Sequence, residues 1–401
     1  MPNPNQGGET TIADLPDECL RQIFLHVPMI TIPGKSWISL RTVCKRWTPI
    51  IDDCWRETKQ LVLCDRGDQL FLLRSSPEML LAIMSNKSQN RRIACELIKR
   101  CGPFLKTLIE QRALPSTSSI MTSAAEECVQ LEHFGGILRT KTDATQLRDL
   151  LDACKNFSCL KIHILAGRLY SFFQRIPTHQ LTALSIFTSD SCDPHLPKYI
   201  KATIRHCRDL KSLHTDYMDD ELAGLLTTLR EIRLSNPGIG LSDRNGLLPL
   251  IRDELLVSLT VHCQRLETMS LECCIYVTDA GISSLSALPK LKVLNLYSLP
   301  RVTGKSLQTF SEIHDLNLVG CLAGDVEITG ILRNCKILQS LNVAYTNITD
   351  KTLYVAVEET RKRMNNITLK IHCDYTRANP RRFQGSSPLL KIVGSNDRGG
   401  F

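Results

Sequence analysis

The chain has 401 residues, of which 43% are hydrophobic, 22% charged and only 5% aromatic, and its formal net charge is +8. A chain of this length can bury a large core, and the low aromatic content predicts an aliphatic one. No stretch reaches the roughly 20 apolar residues of a membrane helix. Basic residues form only short, separated clusters, which argues against a nucleic-acid-binding stripe. The polar start MPNPNQGGETT lacks the apolar segment of a secretory signal, so we expect a cytoplasmic and/or nuclear protein.

The segment LPDECLRQIFLHVP, residues 15–28, has the pattern of an amphipathic helix. Its apolar residues recur at helical spacing, at Leu20, Ile23, Phe24 and Val27. Pro16, Asp17 and Glu18 suit a first turn, where a missing N–H costs nothing and negative charge meets the helix dipole. The sequence therefore predicts a helix with one strongly apolar face.

A second apolar stripe follows, at Leu40, Val43, Cys44, Trp47 and Ile51. Pro49 lies inside it and predicts a bend or break there. Two such stripes within about 45 residues exceed what a unit of that size can bury alone. Tryptophan at positions 47 and 55 favours an interface, because Trp is a preferred anchor in protein contacts. We therefore expect part of this apolar surface to meet another protein.

Four features of this region resemble an F-box, and the resemblance covers residues 11–58. They are Leu15-Pro16-Asp17-Glu18, Ile23-Phe24, the block Val43-Cys44-Lys45-Arg46-Trp47, and Trp55. The resemblance implies a three-helix motif that binds the Skp adaptor of SCF-type cullin–RING ubiquitin ligases, with the cullin reached only through the adaptor. It further implies residues that bind the adaptor or hold the helices together: Leu15, Pro16, Ile23, Phe24, Leu40, Val43 and Trp47. The alternative for this stretch is a helical cap on the array described next.

Most of the remaining chain is a repeat. The segments LETMSLECC, LKVLNLYSL, IHDLNLVGC and LQSLNVAYT all fit L-x-x-L-x-L. Eleven candidate starts are found, with a mean spacing of (364−105)/10, or about 26 residues. They are Leu105, Leu131, Phe157, Leu181, Leu210, Leu229, Leu266, Leu291, Ile313, Leu338 and Met364. The long gap after Leu229 holds SNPGIGLSDRNGLLPL, which is typical of a loop insertion.

Each repeat unit reads as a short strand, a turn and a helix. Segments such as VTDAGISSLSALPK and ITDKTLYVAVEETRKR open with Thr-Asp, a helix-capping pair, and continue with apolar residues at helical spacing. The pattern resembles the cysteine-containing class of leucine-rich repeats over residues 101–373. It implies an α/β fold, a right-handed curved solenoid with parallel strands on the concave face and helices on the convex face.

The flanking segments carry their own expectations. Residues 59–100 are expected to form a helical linker or solenoid cap, with helices in SPEMLLAIM after Pro77 and in RRIACELIKR. Residues 1–10 and most of 374–401, rich in Gly, Ser, Arg and Pro, are expected to be disordered, although SSPLLKIV could dock on the array.

Seven of the 17 cysteines occupy two repeat columns, which favours buried thiols over a metal or redox site. His206-Cys207 and His262-Cys263 share one repeat position, and an active site is needed only once. No nucleotide-binding, hydrolase or zinc-protease motif occurs. We therefore expect no catalytic residues, no metal and no cofactor.

Alternate strand positions should point onto the concave face. The candidate target-binding residues there are His214, Arg233, Glu272, Asn295, Tyr297, Asp315, Asn317 and Asn342. The asparagines share one column, as either a hydrogen-bonding amide ladder or polar filling of a solvated face. Tyr297 is the strongest single contact candidate, because exposed aromatics act as anchors.

Together these features predict a non-enzymatic substrate-recognition subunit of an SCF ubiquitin ligase. The F-box would bind the Skp adaptor, and the repeats would bind an unknown target protein for ubiquitination. The alternative is a leucine-rich scaffold or inhibitor that does not act in ubiquitination. Nucleic-acid binding through the +8 charge is a third hypothesis, which weak salt dependence would exclude.

Overall fold

The computed structural model describes residues 12–26, 43–65, 71–76, 78–84, 88–111, 117–165, 169–188, 195–235 and 251–394. Within these ranges the chain forms eleven α-helices and fifteen strands. The helices are α1 Asp17–His26, α2 Trp47–Cys54, α3 Ser88–Cys101, α4 Thr117–Glu127, α5 Lys141–Ala153, α6 Leu196–His206, α7 Asp220–Leu225, α8 Asp253–His262, α9 Asp279–Ser284, α10 Asp325–Asn334 and α11 Asp350–Arg361.

Short 3-10 turns complete several repeats, as at Leu285–Ala287 and Lys305–Thr309. The strands are β1 Gln60–Asp65, β2 Phe71–Ser76, β3 Met79–Met84, β4 Thr107–Glu110, β5 His133–Leu138, β6 Cys159–Ile164, β7 Ala183–Thr188, β8 Ser212–Thr215, β9 Glu231–Ser235, β10 Thr268–Glu272, β11 Val293–Tyr297, β12 Asp315–Asn317, β13 Ser340–Asn342, β14 Leu369–His372 and β15 Leu390–Val393.

The chain divides into two units. The first comprises Met1–Ile162 and Leu169–Gln180 and contains α1, α2 and strands β1–β5 in the order β5-β4-β1-β3-β2. Its described strand pairs are parallel, except that β2 lies antiparallel to β3. The first unit thus consists of the two amino-terminal helices followed by a largely parallel sheet with its connecting helices.

The second unit comprises His163–Arg168 and Leu181–Phe401. Its strands β7–β15 follow one another in chain order, and each pairs in parallel with the next. A helix or 3-10 turn connects most successive strands, which is the arrangement of a leucine-rich-repeat-type α/β solenoid. No single repeat buries its apolar face alone, so stacking provides the core.

The predicted repeat register is confirmed at ten of eleven starts. Each of these ten residues lies two positions before the first residue of a strand, as Leu266 precedes Thr268. The leucines of the motif are buried; Leu266, Leu294 and Leu341, for example, are 0% exposed. Alternation within a strand therefore sends the motif leucines into the core.

The last predicted start is wrong. Met364 is 96% exposed, and β14 begins only at Leu369. The pairing of Ser340 with Lys370 places the repeat start at Thr368, four residues later than expected. The turn after α11 is longer than the pattern allowed, and the apolar residue Met364 lies in it.

The last six residues of SPEMLLAIM form a strand and not the expected helix. Met79–Met84 forms β3, which pairs with β1 and alternates its burial, with Leu80 and Ala82 both 0% exposed. A short apolar run fits a buried strand or a buried helix equally well, and a neighbouring strand decides between them. RRIACELIKR is helical as predicted, within α3. Residues 59–100 are therefore only partly helical, and β1–β3 extend the sheet.

The tail also departs from expectation. Residues 374–394 are ordered as a further repeat, in which Phe383 and Ser387 are buried and β15 pairs with β14. Polar composition predicted disorder, but pairing with the preceding strand supplies the backbone partners that the composition did not reveal. The SSPLLKIV segment forms part of this added repeat. Residues 1–11 and 395–401, residues 236–250 of the predicted insertion, and residues 27–42, which include Leu40 and Val27, lie outside the described residues.

The cysteine columns are buried as predicted. The column three residues before the strand motif contains Cys128, Cys154, Cys207, Cys263 and Cys335, all buried. In the second column, Cys321 Sγ donates to the Leu296 carbonyl at 3.2 Å. Burial raises the pKa of Cys207 to about 11 and that of Cys263 to about 12. These thiols are protonated at neutral pH, and the adjacent His206 is exposed.

Candidate functional site

The amino-terminal helices α1 and α2 pack on each other through a small core. Leu20 and Phe24 of α1 are 0% and 3% exposed, and Ile51 and Cys54 of α2 are 1% and 0% exposed. The ring of Phe24 meets that of Trp47 edge to face, with centroids 4.9 Å apart. Pro49 lies in the first turn of α2, where its missing N–H costs little. The bend or break predicted at Pro49 therefore does not interrupt a helix, because the helix begins only two residues earlier, at Trp47.

Charged side chains tie the two helices together. Arg21 pairs with Asp53 at 3.1 Å and also with Glu57 just after α2. Arg46 pairs with Asp17 at 2.7 Å and donates to the Leu15 carbonyl. Because Arg46 reaches both sites, the segment before α2 lies beside the segment before α1.

Some predicted adaptor-binding residues remain on the surface. Pro16 is exposed and Val43 is 58% exposed, while Leu15, Ile23 and Trp47 are half-buried. We call these five residues the amino-terminal patch. Phe24, by contrast, is inside the module and holds the helices together. Leu40 cannot be placed in either set, because it lies outside the described residues.

In the second unit, alternate residues of successive strands form a polar sheet face. The pairing register aligns two rows across it. The first row is Ser212, Glu231, Thr268, Val293, Asp315, Ser340 and Lys370. The second row is His214, Arg233, Ser270, Asn295, Asn317, Asn342 and His372. All eight residues predicted for this face lie on it. Six belong to the two rows, and the other two, Glu272 and Tyr297, pair with each other at the next outward position.

Several of these side chains already have partners. Arg233 Nε lies 3.8 Å from the Glu272 carboxylate, so the two charges partly neutralise each other. The His214 ring packs edge-on against Phe187, with centroids 3.8 Å apart. These contacts orient His214 and Arg233 on the face.

The asparagine column has a structural role. Asn317 Oδ1 accepts from the Val319 N–H at 3.0 Å, and Asn342 Oδ1 accepts from the Ala344 N–H at 3.2 Å. Asn295 instead donates from Nδ2 to Ser270 Oγ at 2.8 Å. The carbonyl oxygens of Asn317 and Asn342 thus support the turn after each strand. This supports polar filling over a complete amide ladder.

A shallow depression of about 230 Å³ lies on this face. Its polar lining is Asn295, Asp315, Asn317, Ser340, Asn342 and His372. Val293, Leu294 and Leu316 complete the lining, so the carboxyl-terminal half of the face has a concave floor of mixed polar and aliphatic character.

Beyond the strand ends lies a column that the sequence analysis missed. Five equivalent residues have left-handed backbone: Cys273, Ser298, Gly320, Tyr345 and Tyr375, with φ of 55°, 55°, 72°, 56° and 54°. Tyr345 and Tyr375 are 53% and 56% exposed, and their rings stack with centroids 4.5 Å apart and planes at 15°. The shared Tyr-Thr in VAYTN and CDYTR was the signal, hidden by the wrong start at Met364.

One carboxyl group of the second unit has an unusual environment. Asp216 is 6% exposed and accepts a hydrogen bond from the Thr188 N–H at 2.8 Å. Burial raises the pKa of Asp216 to about 6, and the backbone hydrogen bond opposes this rise. Among the described residues, no three His, Cys, Asp or Glu side chains gather as a metal site. In the same part of the chain, every helix is too short or too polar to cross a membrane.

The F-box domain family model matches residues 12–59, so the chain carries an F-box domain at its amino-terminal helices. Among solved structures, a chain of the yeast Rad7–Elc1 complex is 17% identical over 94% of this chain and 93% of its own, with a TM-score of 0.47. Internalin InlF from Listeria monocytogenes is 11% identical, covering 86% and 88%, with a TM-score of 0.39. Internalin C2 from the same organism is 19% identical, covering 48% and 74%, with a TM-score of 0.34. Similarity at this level carries no information about activity.

Proposed function

We propose that this chain is the substrate-recognition subunit of an SCF-type ubiquitin ligase. The F-box domain binds a Skp-type adaptor, and the repeat solenoid holds a target protein. The observation that carries the proposal is the F-box domain itself, matched at residues 12–59, together with the apolar residues that it leaves on its surface. Surface apolar groups of this kind are typical of a binding site.

The amino-terminal patch supplies the adaptor contact in this proposal. Val43 of the second apolar stripe is exposed, as is Pro16 just before α1, and Arg46 holds their two segments side by side. The adaptor would cover the patch and bury the exposed fractions of Ile23 and Trp47. Each fully buried aliphatic side chain would contribute about 1.5–3 kcal/mol to association.

The polar sheet face supplies the target contact. Catalysis belongs to other subunits, and this chain contributes orientation by holding the target near the charged ubiquitin-conjugating enzyme. The face has mixed charges and hydrogen-bonding groups, which suits recognition of a protein segment. The cullin would be reached only through the adaptor, and the chain itself would be non-catalytic. We place the complex in the cytoplasm and/or the nucleus.

Adaptor capture tests the assignment. We expect the full chain to retain a Skp-type adaptor in a pull-down, and the double substitution Leu15→Ala with Pro16→Ala to weaken that retention about tenfold or more. Val261→Ala is the matched control, because Val261 is 64% exposed on α8, in the other unit. Intact adaptor binding by the double variant would refute the assignment.

A second experiment separates the ligase subunit from a scaffold that does not act in ubiquitination. Proteins captured by an F-box-deleted form should have longer lifetimes in cells that lack the full chain. If the captured proteins have the same lifetimes in cells with and without the full chain, the scaffold function is favoured.

A further inference from the structure

The carboxyl-terminal part of the polar sheet face is chemically different from the rest. On strands β13–β15 its outward residues are Ser340, Asn342, Lys370, His372, Lys391 and Val393. Lys370 and Lys391 are directly paired in the register and both exposed. These six outward positions carry two cations and no carboxylate. Toward β9–β12 the same face carries Glu231, Glu272 and Asp315.

The stacked tyrosines lie beyond the strand ends of this same part. Tyr375 follows His372 by three residues, and Tyr345 occupies the equivalent position after β13. Both tyrosines are more than half exposed, and Tyr297 in the neighbouring column is 45% exposed. Loss of hydration, the neighbouring Tyr375 and Tyr297, and the charge of Asp374 beside Tyr375 raise the pKa of Tyr345. Two stacked aromatic rings thus present exposed surface to solvent.

The backbone makes tyrosine a costly residue at these positions. All five residues of the column have positive φ, so the turn requires a left-handed residue whatever its side chain. Glycine, as at Gly320, adopts this conformation without strain, whereas a bulky residue is strained there. Burial in the core does not account for the two tyrosines, because both are more than half exposed and their rings stack only on each other among the described ring contacts. This mismatch motivates a binding role.

We propose that this region, which we call the tyrosine–lysine surface (Lys370, His372, Lys391, Tyr345 and Tyr375), binds an extended acidic segment of a partner polypeptide. The inference rests on the proposed function and names the class of target that the solenoid captures. Acidic side chains of the segment pair with Lys370 and Lys391, and an aromatic or leucine side chain packs on the stacked rings. Lys370 and Tyr375 are five residues apart, so they lie within about 18 Å of each other, a distance that an extended peptide of five or six residues spans.

A polypeptide fits this surface better than a nucleic acid. A single strand needs a continuous cationic groove with stacking platforms along it. Here Asp315 lines the depression, and Glu231 and Glu272 lie further along the face, so the cationic part is short. A short peptide with charge at one end and an apolar side chain at the other matches this distribution.

The first test uses a random heptapeptide display library selected on the full chain. We expect enrichment of Asp and Glu at one end of the selected peptides and of aromatic residues or Leu at the other. Affinities of synthetic versions should fall when ionic strength rises from about 0.05 to 0.5 M, because the charged groups are exposed. Selection of basic peptides, or of no common pattern, would overturn the proposal.

Two variants test the named residues. Tyr345→Gly with Tyr375→Gly removes both rings and relieves the backbone, so the melting temperature should stay within about 3 °C of the parent chain. Affinity for the selected peptides should fall roughly 30-fold, as for anchor residues. Lys370→Glu with Lys391→Glu should lower the affinity about tenfold and abolish its salt dependence. Unchanged affinity in either variant would overturn the assignment of its residues.

Matched controls lie on the helical side of the second unit. Tyr354 is 64% exposed on α11, and Lys305 and Lys351 are exposed. Tyr354→Ala and Lys305→Glu with Lys351→Glu should leave peptide affinity unchanged. A single-stranded oligonucleotide that binds more tightly than the peptides and loses binding in the tyrosine variant would replace our proposal with nucleic-acid recognition.

The outcome is separable from that of the proposed function. Adaptor capture by the tyrosine and lysine variants should equal that of the parent chain. If adaptor capture fails for every form while acidic peptides still bind, the ligase assignment falls and the peptide surface stands.

Discussion

The rings of Phe24 and Trp47 meet edge to face, with centroids 4.9 Å apart and planes 64° apart. This contact closes α1 on α2 in the F-box. It also divides the apolar stripe of α1 into two roles, because Phe24 is buried while Ile23 stays half-exposed beside it. The family resemblance named both residues together, and only the packing separates them.

Substitutions should reproduce that division. Phe24→Ala removes a buried ring and should lower the free energy of unfolding of the F-box by about 3 kcal/mol. Val43→Ala acts on a side chain that is 58% exposed and should change it by less than about 0.5 kcal/mol. Both should weaken adaptor binding, but only Phe24→Ala should lower the melting temperature. Equal melting temperatures for the two variants would contradict the buried role of Phe24.

Cysteine labelling gives a footprint of the adaptor. Among the cysteines that the structure describes, Cys19 and Cys44 are exposed; Cys19 lies between Pro16 and Ile23 in the chain, and Cys44 follows Val43. We expect native-state alkylation, read by mass spectrometry, to modify them before buried thiols such as Cys263, whose pKa burial raises to about 12. Adding a Skp-type adaptor should slow both reactions. If the adaptor leaves the labelling rates of Cys19 and Cys44 unchanged, its binding surface lies elsewhere.

Hydrogen bonds between repeats predict loss of stability in acid. Asp279 accepts from the Thr303 N–H at 2.9 Å, from Thr303 Oγ1 at 2.7 Å and from Ser306 Oγ at 3.2 Å. Asp325 likewise accepts hydrogen bonds from the Thr349 N–H and from Thr349 Oγ1. Desolvation opposes these bonds, yet the net effect lowers the pKa of both carboxyl groups below the ordinary 3.8. Their stabilisation is complete above about pH 4 and is lost as pH falls through the lowered pKa.

Asp279→Ala should therefore cost about 2 kcal/mol at pH 7 and progressively less as the pH falls through the lowered pKa, because the parent carboxylate then gains a proton. Denaturant unfolding at pH 7 and at a series of acidic pH values measures this decline. Asp220→Ala is the control, since Asp220 is exposed in the first turn of α7. A cost for Asp279→Ala that does not depend on pH would show that its charge contributes nothing.

The pKa of Asp216 is shifted in the opposite direction, so its effect on stability has the opposite dependence on pH. Its pKa is raised to about 6 in the folded chain, against an ordinary 3.8. The folded state therefore binds the proton more tightly, and stability falls as pH rises from about 4 to 6. Asp216→Asn keeps an acceptor for the Thr188 N–H and removes the buried charge. It should raise the free energy of unfolding by about 2 kcal/mol at pH 7 and change it little at pH 3.5. A variant that is less stable than the parent chain at pH 7 would contradict this.

The repeat register was predictable because its cause is local. A leucine at each position of L-x-x-L-x-L must alternate inward along a strand, so Leu266, Leu291 and eight other starts could be placed from spacing alone. Capping is equally local: Thr278 and Thr349 accept from backbone N–H groups at the starts of α9 and α11. The cysteine columns followed from the same period.

Other features depended on residues distant in the chain. The segment around Leu80 became a strand because β1 and β2 lie beside it, and the tail became ordered because β15 pairs with β14. The stacking of Tyr345 on Tyr375 required two repeats to be superposed with the correct turn length. None of these partners lies within the window of residues that a periodicity examines.

By itself, the sequence determined the class of this protein: an amino-terminal F-box and an α/β repeat array, since both are encoded in short apolar patterns that bury their own side chains. Only the tertiary structure decided which side chains remain for partners. It buried Phe24, left Val43 in solvent, committed the amide oxygens of Asn317 and Asn342 to the backbone, and exposed two stacked tyrosines. The physical reason is that exposure depends on what packs against a residue, and those neighbours are brought together by the fold.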